Sequence, residues 1–288
     1  MDLSAEVPTH FRSSAVRPGL VGMLREAVGE VLGRRRLIAY MVQADLHKKG
    51  ADTVLGNLWW VLDPLLQMVV YVVLVSVIFQ RAAPDYPLFI FAAILPWKWF
   101  QSSIQDGISS VSGAERLVRQ IKFPKLVLPV AAVVAGIVNF AFGLIPLFAL
   151  MLLFFRDRIE LTLLLIPAIA AVQLVFNLAL TVLLAAVNVF YRDVGNLARH
   201  FMRLWFYVSP ALFSLDQLIN ATQSYPEIQR LLTLNPWATL FTAYRAVIYD
   251  SRLPDWGSLG VVLVGSIVLL ALTTLLFKRL EPAFAKVL

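Results

Sequence analysis

Six stretches of this chain are apolar over much of a bilayer's width and almost free of charge, which leaves few folds open. They run Leu58–Phe79, Leu88–Val111, Val127–Phe155, Leu161–Phe190, the shorter Phe201–Leu215, and Leu259–Phe277. At ~1.5 Å rise per residue, about 20 apolar residues in a helix cross a hydrocarbon core of roughly 30 Å. Of the 288 residues, 59% are hydrophobic and 15% charged, whereas soluble domains are nearer to half apolar and about a quarter charged. The surplus must face lipid. Inside hydrocarbon every backbone N–H and C=O needs a partner within the segment, so such stretches are helical. The expected fold is an all-α integral membrane protein with six transmembrane helices.

The basic residues set the sidedness. Residues 1–57, 106–126, 191–204 and 278–288 hold 18 Lys and Arg, the alternate segments 80–87, 156–160 and 216–256 hold 6, and Lys98 stands alone inside a span. Basic loops stay in the cytoplasm, so both termini are expected there. The net charge of +7 therefore reads as a basic membrane-proximal face, with no nucleic-acid partner implied. Residues 1–19 are polar, lack the apolar core of a signal peptide and are expected to be disordered. Over residues 20–57, Leu20, Leu24, Ala27, Val28 and Val31 form one helical stripe opposite Arg25, Glu26 and Glu30. This pattern predicts an amphipathic helix in the interface, continuing past Arg34, Arg35 and Arg36 to Lys48 and Lys49. Residues 216–256 are apolar at helical spacing but too broken to cross. Short re-entrant helices on the outer face, over about 216–250, fit this pattern, and irregular backbone at depth requires surrounding protein or water.

Much chemistry is excluded. The chain has no cysteine, hence no disulfide and no thiolate metal site. His10, His47 and His200 are far apart, so no metal site is expected. There is no Gly-rich phosphate loop ending in Lys and Ser or Thr, so the chain does not bind ATP in that way. Asp63 is the only acidic residue well inside a predicted span, and no cluster of carboxylates or histidines suggests catalysis. No catalytic residue is expected.

Two loops are more informative. Residues 114–124 read as a short amphipathic helix stopped by Pro124, because the residue before proline avoids helical geometry. It serves either as an interfacial connector or as a knob for a soluble partner. Asn188-Val189-Phe190-Tyr191-Arg192-Asp193 follows the fourth span. Together with Ala51–Gly56 before Trp59, Pro64, Leu95-Pro96-Trp97 with Phe100 and Ser102, Phe123-Pro124 with Pro129, and Asn235-Pro236, these segments resemble the permeases of polysaccharide-exporting ABC transporters. That family, of the type-2 ABC exporter class, exports O-antigen, teichoic acid and capsule; the resemblance runs from about Ala44 to Phe284.

The resemblance implies that residues 58–288 are a six-helix permease domain, working as a homodimer with two copies of a separate ATPase that carries ATP and Mg. The implied cargo is a lipid-linked polysaccharide moved from the inner to the outer leaflet of a bacterial cytoplasmic membrane. Residues 34–52 and 114–124 would rest on the ATPase, with Glu115, Arg116, Arg119, Lys122, Phe123 and Pro124 as the coupling helix. Tyr225, Pro236, Trp237, Tyr244 and Arg245 fall in the expected outer gate. Because pyranose C–H faces stack on aromatic rings, Tyr71, Trp97, Trp99 and Phe100 are candidates to line the path. A pyrophosphate headgroup needs cations, and Lys48, Lys49, Arg192, Arg199 and Arg203 are candidates. Arg34–Arg36 are better read as attracted to anionic lipid. Lys98 needs a cavity or a counter-ion, either Asp63 or Asp106, unless a bend at Pro96 lets it reach the interface. Two other readings share the composition: an ABC permease for a drug, lipid or small oligosaccharide, and a membrane enzyme acting on polyprenyl lipids.

Overall fold

A computed structural model describes residues 19–50, 54–80, 83–121 and 123–288. Among them all regular structure is helical. The predicted interface helix is two helices, α1 (Leu20–Gly33) and α2 (Arg35–Gly50), broken at Arg34. α3 (Trp59–Val72) runs on as a π-helical turn to Ile78. α4 spans Tyr86–Ser110 and α5 Glu115–Gln120. The two longest apolar runs form α6 (Val127–Phe154) and α7 (Ile166–Phe190). Then come α8 (Val194–Val208), three short helices α9 (Leu215–Ala221), α10 (Pro226–Leu234) and α11 (Pro236–Ile248), and the 32-residue α12 (Trp256–Val287).

Among the described residues four helical segments are long and apolar enough to cross a membrane: Trp59–Ile78, Val127–Phe154, Leu161–Phe190 and Trp256–Val287. The other two expected spans depart from that description for separate reasons. α4 has 25 residues, length enough, but polar residues along one face dilute it. The fifth stretch is corrected: its helix begins at Val194 and ends at Val208, and residues 209–213 form turns rather than a continuation to Leu215. Its 15 residues reach only ~22 Å at helical rise.

α4 is the axis around which the other helices pack. From Leu88 to Phe100 every side chain except that of Lys98 is buried, against α3, α6, α7, α8 and α11. Missing side chains permit the closest approaches. A Cβ on Gly107 of α4 would overlap Thr181 Cγ2 of α7, and one on Gly136 of α6 would lie 2.7 Å from Trp99 Cδ1. α7 and α12 lie along each other.

Each end is tied by a cation. At one end Arg158 donates to the Tyr249 carbonyl at 2.9 Å and to Asp85 at 3.3 Å, joining three interhelical loops. At the other, Lys278 of α12 donates to both carboxylate oxygens of Glu30 on α1 at 2.9 Å, and Glu281 accepts the Lys125 backbone N–H at 2.8 Å. The basic segments thus gather at one end of the bundle, as alternating loops require.

Candidate functional site

On α4, Lys98, Gln101, Ser102, Gln105, Asp106 and Ser109 recur at i, i+3, i+4, i+7, i+8 and i+11, one helical face. The opposite face, Trp97, Phe100, Ile104 and Ile108, is buried. Much of the polar face walls a cleft of about 560 Å³ between α3, α4 and α6. Trp59, Trp60, Asp63 and Pro64 close it from α3, and Asn139, Phe140 and Gly143 from α6. Lys98 Nζ donates to Asp63, which settles the choice of counter-ion. Asp106 instead accepts from Lys49 of α2 at 2.7 Å, and Asp45 lies 2.8 Å from the same ammonium. Burial alone would lower the Lys49 pKa, but Asp106 and then Asp45 outweigh it and hold the ammonium above its ordinary value. Lys49, a candidate headgroup contact, is therefore engaged as a bridge from α2 to α4.

Asp63 decides what the cleft faces. Its side chain is 64% exposed, and a carboxylate at the edge of an apolar helix is too costly to leave against hydrocarbon. The cleft must open to water or to another protein surface.

The expected path aromatics separate. Trp97 and Phe100 are packed inside the bundle, with ring centroids 4.8 and 5.0 Å from Trp237, and Trp97 lies 5.3 Å from Phe206. Tyr71 is buried too, stacked on Phe206 at 5.7 Å. These rings are core in this conformation. Trp99 alone of the four borders the cleft, stacked on Phe140 at 5.2 Å. Trp59 and Trp60 join it there.

Most of the residues expected at an outer gate lie in the packed interior. Trp237, Tyr244 and Arg245 are buried in α11, Pro236 is half-buried, and Tyr225 is exposed at the start of α10. Tyr244 donates to Gln173 Oε1 at 2.9 Å, and Gln173 donates to the Pro96 carbonyl at 2.8 Å, linking α11, α7 and α4. The Arg245 guanidinium donates to the carbonyls of Pro210, Ala211, Phe213 and Phe89 and lies 3.6 Å from the Phe89 ring. The Asn235-Pro236 motif also has a physical role. Asn235 caps α11 through the Trp237 N–H at 3.0 Å, accepts from Trp205 and donates to Ser209, binding α11 to the end of α8.

On the basic end, α5 anchors through buried Val118 and turns Arg116, Leu117, Arg119 and Ile121 outward. Glu115 pairs with Arg119 at 3.0 Å. The helix stops at Gln120 with Ile121 extended, four residues short of the expected limit at Pro124; Lys122 lies outside the described residues. Phe123 and Pro124 line a groove of about 810 Å³ with α1 and the end of α12. Asn188 donates to the Ile108 carbonyl at 3.0 Å and to Ser112 Oγ at 3.1 Å, fixing the corner from which α5 emerges. Lys48, Arg192, Arg199 and Arg203 are exposed. Lys48 is on α2, which lies along α6, while α8, bearing Arg199 and Arg203, lies along α4 and α7.

Across known proteins, the O-antigen export system permease protein RfbA of Myxococcus xanthus is 35% identical over 259 residues, covering 90% of this chain and 98% of that protein. The chain belongs to the O-antigen export permease family. Two permeases of the same name from Klebsiella pneumoniae are each 25% identical over 254 residues, covering 88% of this chain and 95% of theirs. No family model matches the permease. These relatives place it among type-2 ABC exporter permeases and among non-catalytic subunits. Its apolar helices agree with a multi-pass membrane protein.

Proposed function

We propose that the chain is the transmembrane subunit of an ATP-driven exporter that moves a lipid-linked polysaccharide from the inner to the outer leaflet of a bacterial cytoplasmic membrane. The observation that carries this reading is the polar face of α4, set in a cleft among helices otherwise built for lipid. In a family named for O-antigen export, such a face supplies what a hydrated cargo needs to cross hydrocarbon. Six spans follow when α4, sheathed by its neighbours, and the short amphipathic α8 are counted with the four apolar segments. α9–α11 are then the re-entrant outer helices, and both termini are cytoplasmic.

A homodimer fits the surface. α3 exposes Leu66, Val69 and Val70, the π-helical turn after it exposes Val73, and α8 exposes Leu197, Phe201, Leu204 and Val208, faces suited to lipid or a second copy. The exposed Asp63 requires that something other than lipid cover part of α3. Two ATPase subunits, carrying ATP and Mg, dock on the basic end, where α5 projects charged and apolar side chains from a rigid corner. ATP-driven closure of that partner moves α5 and α4 together.

Deleting the gene for this chain and restoring it tests the reading. Surface polysaccharide disappears in the deletion and returns with the intact chain, while lipid-linked glycan accumulates inside the deletion strain. Unchanged surface polysaccharide in the deletion refutes it.

A further inference from the structure

We propose that the α3–α4–α6 cleft is a subsite for uncharged sugar units, and that Lys98 and Asp63 keep it electrically neutral rather than capturing an anion. This rests on the reading of the chain as a polysaccharide exporter and names which part of the cargo the cleft takes.

The charges argue against a phosphate site. Lys98, the only cation among the lining residues, already donates to Asp63. Two turns along α4, beyond the cleft lining, Lys49 is held by both Asp45 and Asp106, so that cation is paired as well. A phosphate entering here would have to displace Asp63 from Lys98 and then sit beside that carboxylate. A neutral hydroxylated ligand meets no such penalty.

The remaining lining chemistry suits sugars. Gln101, Gln105, Ser102 and Asn139 supply donors and acceptors. The indoles of Trp59 and Trp60 offer flat apolar faces with a polar edge, and buried Trp99, stacked on Phe140, backs the wall. The cleft's 560 Å³ lies within the roughly 300–1,000 Å³ of small-ligand sites, room for a short run of sugar rings. Many weak neutral contacts also serve conduction, because a passing chain must be able to leave.

The native chain has no cysteine, so single cysteines report the cleft directly. Gln101→Cys and Gln105→Cys are labelled with a small hydrophilic maleimide in cells with glycan synthesis on or off, with Ser224→Cys, exposed outside the cleft, as reference. The subsite predicts at least fivefold slower labelling at both cleft positions when glycan is made, with Ser224→Cys unchanged. Equal rates in the two conditions, or cysteines that never react, overturn it. A charge cycle adds a second readout. Asp63→Asn and Lys98→Gln each leave one unmatched charge and cut surface polysaccharide at least fivefold, while the double variant recovers to within twofold of the native chain. A double variant as poor as Lys98→Gln alone makes Lys98 an anion contact and overturns the proposal, as do single variants that export normally. Normal export by the native chain together with no protection of the single-cysteine variants sinks the subsite alone. A native chain that restores no export sinks the exporter reading itself.

Discussion

At Arg245 a single side chain holds three elements together. Its guanidinium satisfies carbonyls in the turn after α8 and one in α4 while lying over Phe89. Lysine carries the charge but not the planar fork. Arg245→Lys is therefore expected to cost about 2–3 kcal/mol through unpaired buried carbonyls, seen as a lower unfolding temperature of the detergent-solubilised chain. An unchanged midpoint would show that the turn does not depend on it. Lys49 makes a second residue-scale test. Lys49→Met leaves Asp45 and Asp106 facing each other and should lower the same midpoint, while adding Asp106→Asn should recover most of the loss. A headgroup contact would lose export whether or not Asp106 were neutralised. The sequence shows that Lys98 needs a partner but not which one, because Asp63 and Asp106 lie on opposite sides of it in the chain and only the packing of α3 and α2 on α4 assigns each carboxylate its cation.

Among the elements, α4 was the most legible in extent and the least in meaning. Its limits, Tyr86–Ser110, fall within two residues of the apolar stretch. The 3.6-residue recurrence from Lys98 to Ser109 stands in the sequence as well, yet the aromatic run Trp97–Phe100 draws attention to rings that prove to be core. Which face of an all-buried helix meets a cleft depends on its neighbours, so Trp99 and not Trp97 reaches it. α8 failed differently. Its apolar residues from Phe201 onward look like a short span, but Ala198, Met202 and Phe206 form a buried stripe that begins earlier, and Ser209-Pro210 ends the helix. The α4–α7 contact yields a test at this scale. Gly107→Ala inserts a methyl into Thr181, and such overpacking typically costs about 1–3 kcal/mol. Adding Thr181→Ala removes the clashing methyl and should restore much of the unfolding midpoint. No change in either variant would mean that the two helices can part freely.

For the whole molecule, the segregation of Lys and Arg foretold which loops share an end, and the ties Lys278–Glu30 and Arg158–Asp85 agree with that arrangement. What lies between two copies was not legible, because an interface between membrane helices uses the same apolar residues as a lipid-facing surface. The account makes the chain a passive wall: the polar face of α4 offers the route, and force enters through α5 from another polypeptide. Proteoliposomes containing this chain with and without its ATPase partner, loaded with a fluorescent lipid-linked glycan, test that division of labour most directly. The account predicts ATP-dependent movement of the glycan across the bilayer only when both proteins are present, and none with a hydrolysis-dead partner. Movement by this chain alone would contradict it.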